Sequence, residues 1–173
     1  MKQDRPGELL NLAREVARGI EGFQVAKGPG EGDIATNAFM KELRSRALTA
    51  FGQDFSEKKI CGSNAFAVDF YFPDEMTIVE IALGLPNPQC EFEKDILKAI
   101  MAQELSYPVT RLLFIGRPGS ARKCQQPGRT AVKEWARKKH GLEIVVHDLE
   151  GEPRRRLRRK RARRAELIEA ELR

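Results

Sequence analysis

The chain has 173 residues, 41% hydrophobic and 32% charged, enough for one domain with a real core and too apolar for a disordered chain. No stretch approaches the ~18 consecutive apolar residues of a spanning helix. The start, Met1 to Pro6, leads into an amphipathic segment and not into a secretory leader, so the expected location is cytoplasmic, with no membrane. The formal charge of +6 is unevenly spread: residues 151 to 173 hold ten Lys or Arg against four Glu, while residues 1 to 150 balance at 21 bases and 21 acids.

Three cysteines, Cys61, Cys90 and Cys124, are far apart and form no CxxC pair, which argues against a disulfide framework or a zinc site and for reduced thiols. His140 and His147 are the only histidines. Any metal must therefore sit on oxygen ligands, as Mg2+ or Mn2+ does.

In chain order, residues 7 to 20 space Leu9, Leu12, Val16 and Ile20 at helical intervals. Gly28-Pro29-Gly30-Glu31-Gly32 breaks that pattern. A second helix is predicted over 36 to 51, with Thr36 or Asn37 as cap and Phe39, Leu43, Leu48 and Phe51 as core face. Residues 65 to 72 and 76 to 83 are short, apolar and rich in β-branched and aromatic residues, with Pro73-Asp74-Glu75 between them. That is a hairpin signature, with a further strand near 58 to 61. A helix over 90 to 105 with Phe92, Ile96, Ala99, Ile100 and Gln103 on one side follows, then a strand over 109 to 116, a helix over 129 to 139 ending at Gly141 with Trp135 in the core, and a strand over 142 to 146. The order predicts an α/β fold, a mixed central sheet flanked by helices on both faces. The expected division is 1 to 35 as an N-terminal helical extension and Gly-rich linker, 36 to 150 as the core, and 151 to 173 as a basic helical tail.

Asp69 sits between Val68 and Phe70, and Glu80 between Val79 and Ile81. An ionised carboxylate in an apolar strand is costly unless a cation compensates. A hairpin turning at residues 73 to 75 sets the two roughly opposite each other, where like charges repel and a divalent cation relieves them. The competing reading has one or both pointing to solvent. Glu42, upstream on the second helix, reads on its own as a solvated neighbour of Lys41 and Arg46.

These residues resemble the PD-(D/E)xK, or restriction endonuclease-like, family over about residues 36 to 149: the helix carrying Glu42, the strand Val68-Asp69-Phe70-Tyr71-Phe72, the strand Val79-Glu80-Ile81-Ala82, and the helix that begins near Glu91. The resemblance implies a restriction endonuclease-like core. It implies Asp69 and Glu80 as ligands of Mg2+ or Mn2+ with the Ile81 carbonyl, and Glu42 as accessory acid. It further implies hydrolysis of phosphodiester bonds, with DNA the expected partner. One departure matters: the family's lysine two residues after the Glu is here Ala82. Some members supply it from the next helix, where Lys94 and Lys98 stand one turn apart, although both lie away from the side bearing Phe92, Ile96 and Ala99. The alternative is an inactive nuclease-fold protein serving as a nucleic-acid-binding or protein-interaction module. The resemblance leaves room for a homodimer.

Two basic segments complete the reading. Arg154, Arg155, Arg156, Arg158, Arg159, Lys160 and Arg161 form a run dense enough to neutralise phosphates, with a solvated tail or a partner-docking helix as the competing readings. Arg117, Arg122 and Lys123, in a glycine-containing segment after the strand over 109 to 116, extend the basic surface; the segment reads first as a flexible surface loop, and its backbone amides are a candidate phosphate contact. It is not a P-loop, because the GxxxxGK[ST] spacing is absent.

Overall fold

A computed structural model describes residues 4–20, 23, 31–85 and 91–149. The basic tail from 151 onward and Cys90 lie outside the described residues. The elements run α1 Arg5–Gly19, α2 Glu31–Phe51, β1 Ser56–Lys58, β2 Val68–Phe72, β3 Thr77–Ile81, α3 Glu91–Glu104, β4 Arg111–Gly116, α4 Ser120–Lys123, α5 Pro127–His140 and β5 Glu143–Asp148. The five strands form one sheet in the order β1-β2-β3-β4-β5. The first three are antiparallel neighbours, whereas β4 joins β3, and β5 joins β4, in parallel. The α/β class and the mixed sheet thus agree with the sequence reading.

The topology follows from the connections. Four residues link β2 to β3, and the Met76 N–H donates to the Pro73 carbonyl at 3.0 Å, closing a tight turn that only an antiparallel pair accommodates. Met76 takes the left-handed conformation there, φ 50°. Arg5 at the start of α1 pins the turn, its Nη1 at 2.9 Å from Asp74 and 3.3 Å from Glu75. Parallel neighbours need long crossovers, and α3 and α5 provide them.

Strands β3 and β4 are apolar on both sides, and their alternate residues enter different clusters. Val79, Leu113 and Ile115 pack with Leu9, Ala13 and Val16 of α1 and with Phe39 and Leu43 of α2. Ile78, Leu112 and Phe114 pack with Phe92, Ile96 and Ala99 of α3 and with Ala136 of α5. Burying each such large side chain contributes roughly 1.5–3 kcal/mol.

Several boundaries differ from the sequence reading. Helix α2 begins at Glu31, five residues before the expected cap; Gly32 within it costs only about 1 kcal/mol against alanine, which a 21-residue helix tolerates. Leu48, expected in its core face, is exposed. The strand expected from residue 65 begins at Val68 and leaves Phe66 exposed. A short helix, α4, occupies part of what reads as a loop. Trp135 is no core residue: it is 47% exposed while its neighbour Ala136 is buried, the ~100° step of the helix carrying the indole off the packed side. No helix among the described residues is long and apolar enough to cross a membrane.

Candidate active site

The register Phe70↔Val79 and Tyr71↔Ile78, continued by one residue, sets Asp69 across from Glu80. There the ladder gives way to side chains. The Ile81 N–H donates to Asp69 Oδ2 at 2.7 Å, and the Asp69 N–H lies 3.4 Å from Glu80 Oε2. By strand alternation Glu80 shares the side of Ile78 and Ala82, both in the cluster built with α3. Glu80 is 2% exposed, so it is not a solvated carboxylate.

From α3 comes the compensating charge. Lys98 Nζ lies 2.7 Å from Glu80 Oε1 and 2.9 Å from Asp95 Oδ1, and it donates to the Ala67 carbonyl at 3.1 Å. Lysine is almost never this buried without pairing; Lys98 is 6% exposed and Asp95 5%. Helix geometry explains the selection between the two candidate lysines. The buried residues Phe92, Asp95, Ala99 and Ala102 centre on a direction that places Lys98 at the flank, within reach of a long flexible stem. Lys94 points further round and is exposed. The sequence reading set both lysines aside from the core face; only Lys94 behaves so.

Burial dominates the electrostatics of the pocket, where Asp69, Glu80 and Asp95 lie around one lysine. Burial pushes the Glu80 carboxyl well above its ordinary range, and neighbouring Asp69 and Asp95 push the same way against the opposing pull of Lys98. Burial likewise raises Asp95, again opposed by Lys98. For Lys98, burial alone would weaken its hold on the proton, but Glu80 and Asp95 outweigh it, so its pKa is raised.

Protein-family models, curated proteins and solved structures yield no match to this chain.

The other sequence-predicted residues fall in various places. Glu42 is exposed on α2 and accepts from Arg46 Nε at 2.7 Å, so its hydrogen bond ties it to its own helix and not to the acidic pair. Ala82 is buried, its N–H donating to the Ile115 carbonyl at 3.0 Å. Among the described residues no group of three or more His, Cys, Asp or Glu is spaced to hold a metal ion. Asp69 and Glu80 adjoin, but Asp95 is separated from Glu80 by the ammonium both contact. Arg122 is exposed and Lys123 half-buried. Arg117 lies with its guanidinium carbon 5.3 Å from the centre of the Phe23 ring. Two amides of this loop are not free for a phosphate: Asp148 accepts from the Gly119 and Ala121 N–H groups, both at 2.8 Å. Arg154, Arg155, Arg156, Arg158, Arg159, Lys160 and Arg161 lie outside the described residues.

Asp95 escaped the sequence reading. Its signal was present as an acid three residues before a lysine in the same helix, a spacing that brings both onto one side. On a charged helix that spacing usually marks a solvated pair, and only burial distinguishes the two cases. Cys61 and Cys124 are buried free thiols, as expected of structural cysteines. The Cys61 thiol contacts the Lys98 carbonyl at 3.5 Å.

Proposed function

We propose that the chain is a metal-dependent nuclease of the PD-(D/E)xK type, in which Lys98 of α3 takes the place of the lysine absent at Ala82. The observation that carries this reading is the 2.7 Å approach of Lys98 Nζ to Glu80 Oε1, beside a carboxylate pair set face to face by the hairpin. A restriction endonuclease-like core, with helices on both faces of the sheet, accords with three antiparallel strands followed by two parallel ones.

The donor chemistry fits a hard divalent cation. Asp69 and Glu80 offer carboxylate oxygens, and the proton affinity of Glu80 is raised by burial first and then by Asp69 and Asp95, a repulsion that the charge of Mg2+ or Mn2+ would offset. When bound, such an ion polarises a phosphodiester and furnishes an activated water. The chain's own residues do the rest: Asp69 and Glu80 would hold the cation, the Ile81 N–H fixes the Asp69 carboxylate, and Lys98 would set positive charge beside the phosphate as it accumulates negative charge. DNA is the expected substrate, drawn in by the arginine-rich tail.

A second reading, a nuclease-fold binding or interaction module without catalysis, is favoured by Ala82 and by Lys98 already pairing with both Glu80 and Asp95. Plasmid DNA incubated with the purified chain and Mg2+ or Mn2+ separates the two. Nicking is expected, and Asp69→Asn or Glu80→Gln should reduce it to background with the circular dichroism spectrum retained. Undiminished nicking by Glu80→Gln refutes the nuclease reading. Binding to DNA without cleavage by the parent chain, in either metal, establishes the second.

A further inference from the structure

The neutrality of the first 150 residues conceals a segregation. Residues 117 to 140 hold eight Lys or Arg against a single acid, Glu134. Some of these are tied into the fold: Arg129 donates to the Leu85 carbonyl at 2.9 Å and lies over the Phe92 ring, and Arg117 lies over Phe23. Arg137, Lys138 and Lys139, on the last turns of α5, are exposed. Lys138 has Glu134 at 4.0 Å, but both side chains are more than half exposed, and such a pair is worth little.

Trp135 stands on the same helix, 47% exposed. Its ring meets the His140 imidazole edge-on, centroids 4.9 Å apart. Lys138 and Lys139 follow it by three and four residues, so they share its side of the helix. This combination selects a partner. A protein-binding patch surrounds an exposed indole with apolar neighbours and is depleted of lysine at its centre. A nucleic-acid strand needs what α5 offers: cations for the phosphates and a flat aromatic face for a base. A base within a duplex has both faces stacked, whereas an unpaired base has a face to give.

We propose that the outer side of α5 binds single-stranded nucleic acid, with Trp135 stacking on an unpaired base beside His140, and Lys138 and Lys139 contacting the flanking phosphates. This surface shares no residue with the acidic pocket. It stands or falls apart from hydrolysis, because binding is read in EDTA, where a metal-dependent nuclease is silent.

Trp135 is the chain's sole tryptophan, so fluorescence excited at wavelengths beyond the tyrosine absorption reports on this position alone. The full chain is titrated in EDTA with an oligodeoxythymidylate, with a blunt duplex of equal length, and with heparin as a base-free polyanion. Oligothymidylate should quench the fluorescence and bind more tightly than the duplex. Trp135→Ala should weaken that binding at least about fivefold, while Trp135→Phe keeps most of it. Lys138→Glu combined with Lys139→Glu should lower the salt slope by about 0.7 for each phosphate no longer neutralised. Oligothymidylate binding without quenching, a duplex bound as tightly, the same quenching by heparin, or a Trp135→Ala variant of parental affinity each overturns the proposal.

Discussion

Replacing Lys98 with methionine keeps the length of the apolar stem and removes the ammonium that touches Glu80 and Asp95 at 2.7 and 2.9 Å. Both carboxylate side chains are more than nine-tenths buried. Removing one partner from a buried ion pair costs about 3–5 kcal/mol at neutral pH, because the other charge stays out of water uncompensated. For a chain of this length that corresponds to a fall in Tm of roughly 6–20 °C. The pH dependence adds a sharper test. Lys98 lowers the proton affinity of Glu80 and Asp95, so its loss lets the folded variant hold protons to still higher pH than the unfolded chain does. The deficit against the parent chain is therefore full above those raised values. It closes as pH falls toward the ordinary values of 4.5 for Glu and 3.8 for Asp. Urea denaturation at pH 7.5 and pH 5, with the m-value checked for constancy, measures both. Adding Glu80→Gln to Lys98→Met should recover part of the loss. A deficit below ~1 kcal/mol at pH 7.5, or one that stays constant on acidification, refutes the view that this ammonium holds the pocket together.

Asp148→Ala removes the acceptor of two 2.8 Å amide hydrogen bonds at α4 and should cost about 1–3 kcal/mol, with the Gly119 and Ala121 amides exchanging faster by NMR. Gly141 ends α5 at φ 60° with nothing within 4 Å of an added Cβ. Gly141→Ala should therefore lose about 1–2 kcal/mol from backbone conformation alone, and an equal Tm for both proteins would contradict that. His147 is depressed below its ordinary 6.5 by burial first, then by Arg14 and Arg111, against a smaller opposing pull from Asp148. The unfolded chain thus takes up this proton before the folded one, and stability is lost as pH falls from about 6.5 through the depressed value. His147→Gln should flatten the urea midpoint over that range, and an unchanged slope would show that another group governs it.

The hairpin was legible in the sequence because its information is local. A turn at Pro73-Asp74-Glu75 between two apolar runs fixes the register, and the register alone puts Asp69 across from Glu80. The end of α5 at Gly141 was legible for the same reason. The start of α2 was not, since its first turn carries Gly32 and follows a glycine-rich stretch, and propensity alone started the helix too late. Leu48 and Trp135 were assigned to the core from type and helical spacing, yet which side of a helix is covered depends on where its neighbours lie. The charge of the α4–α5 segment was countable in the sequence. Overall neutrality masked it.

What the chain's order of residues determined by itself is the alternation of helices with short strands, the pairing of β2 with β3, and the facing of two carboxylates. Each follows from contacts a few residues apart. What only the tertiary structure decided is how those charges are met. The packing of α3 on the sheet buries Asp95, brings Lys98 to Glu80 and leaves Lys94 in solvent. The two lysines are chemically identical and one turn apart, so no local rule distinguishes them. Their difference comes from which flank of the helix lies against the sheet, and burial then turns one ordinary solvated lysine into the counter-ion of the pocket.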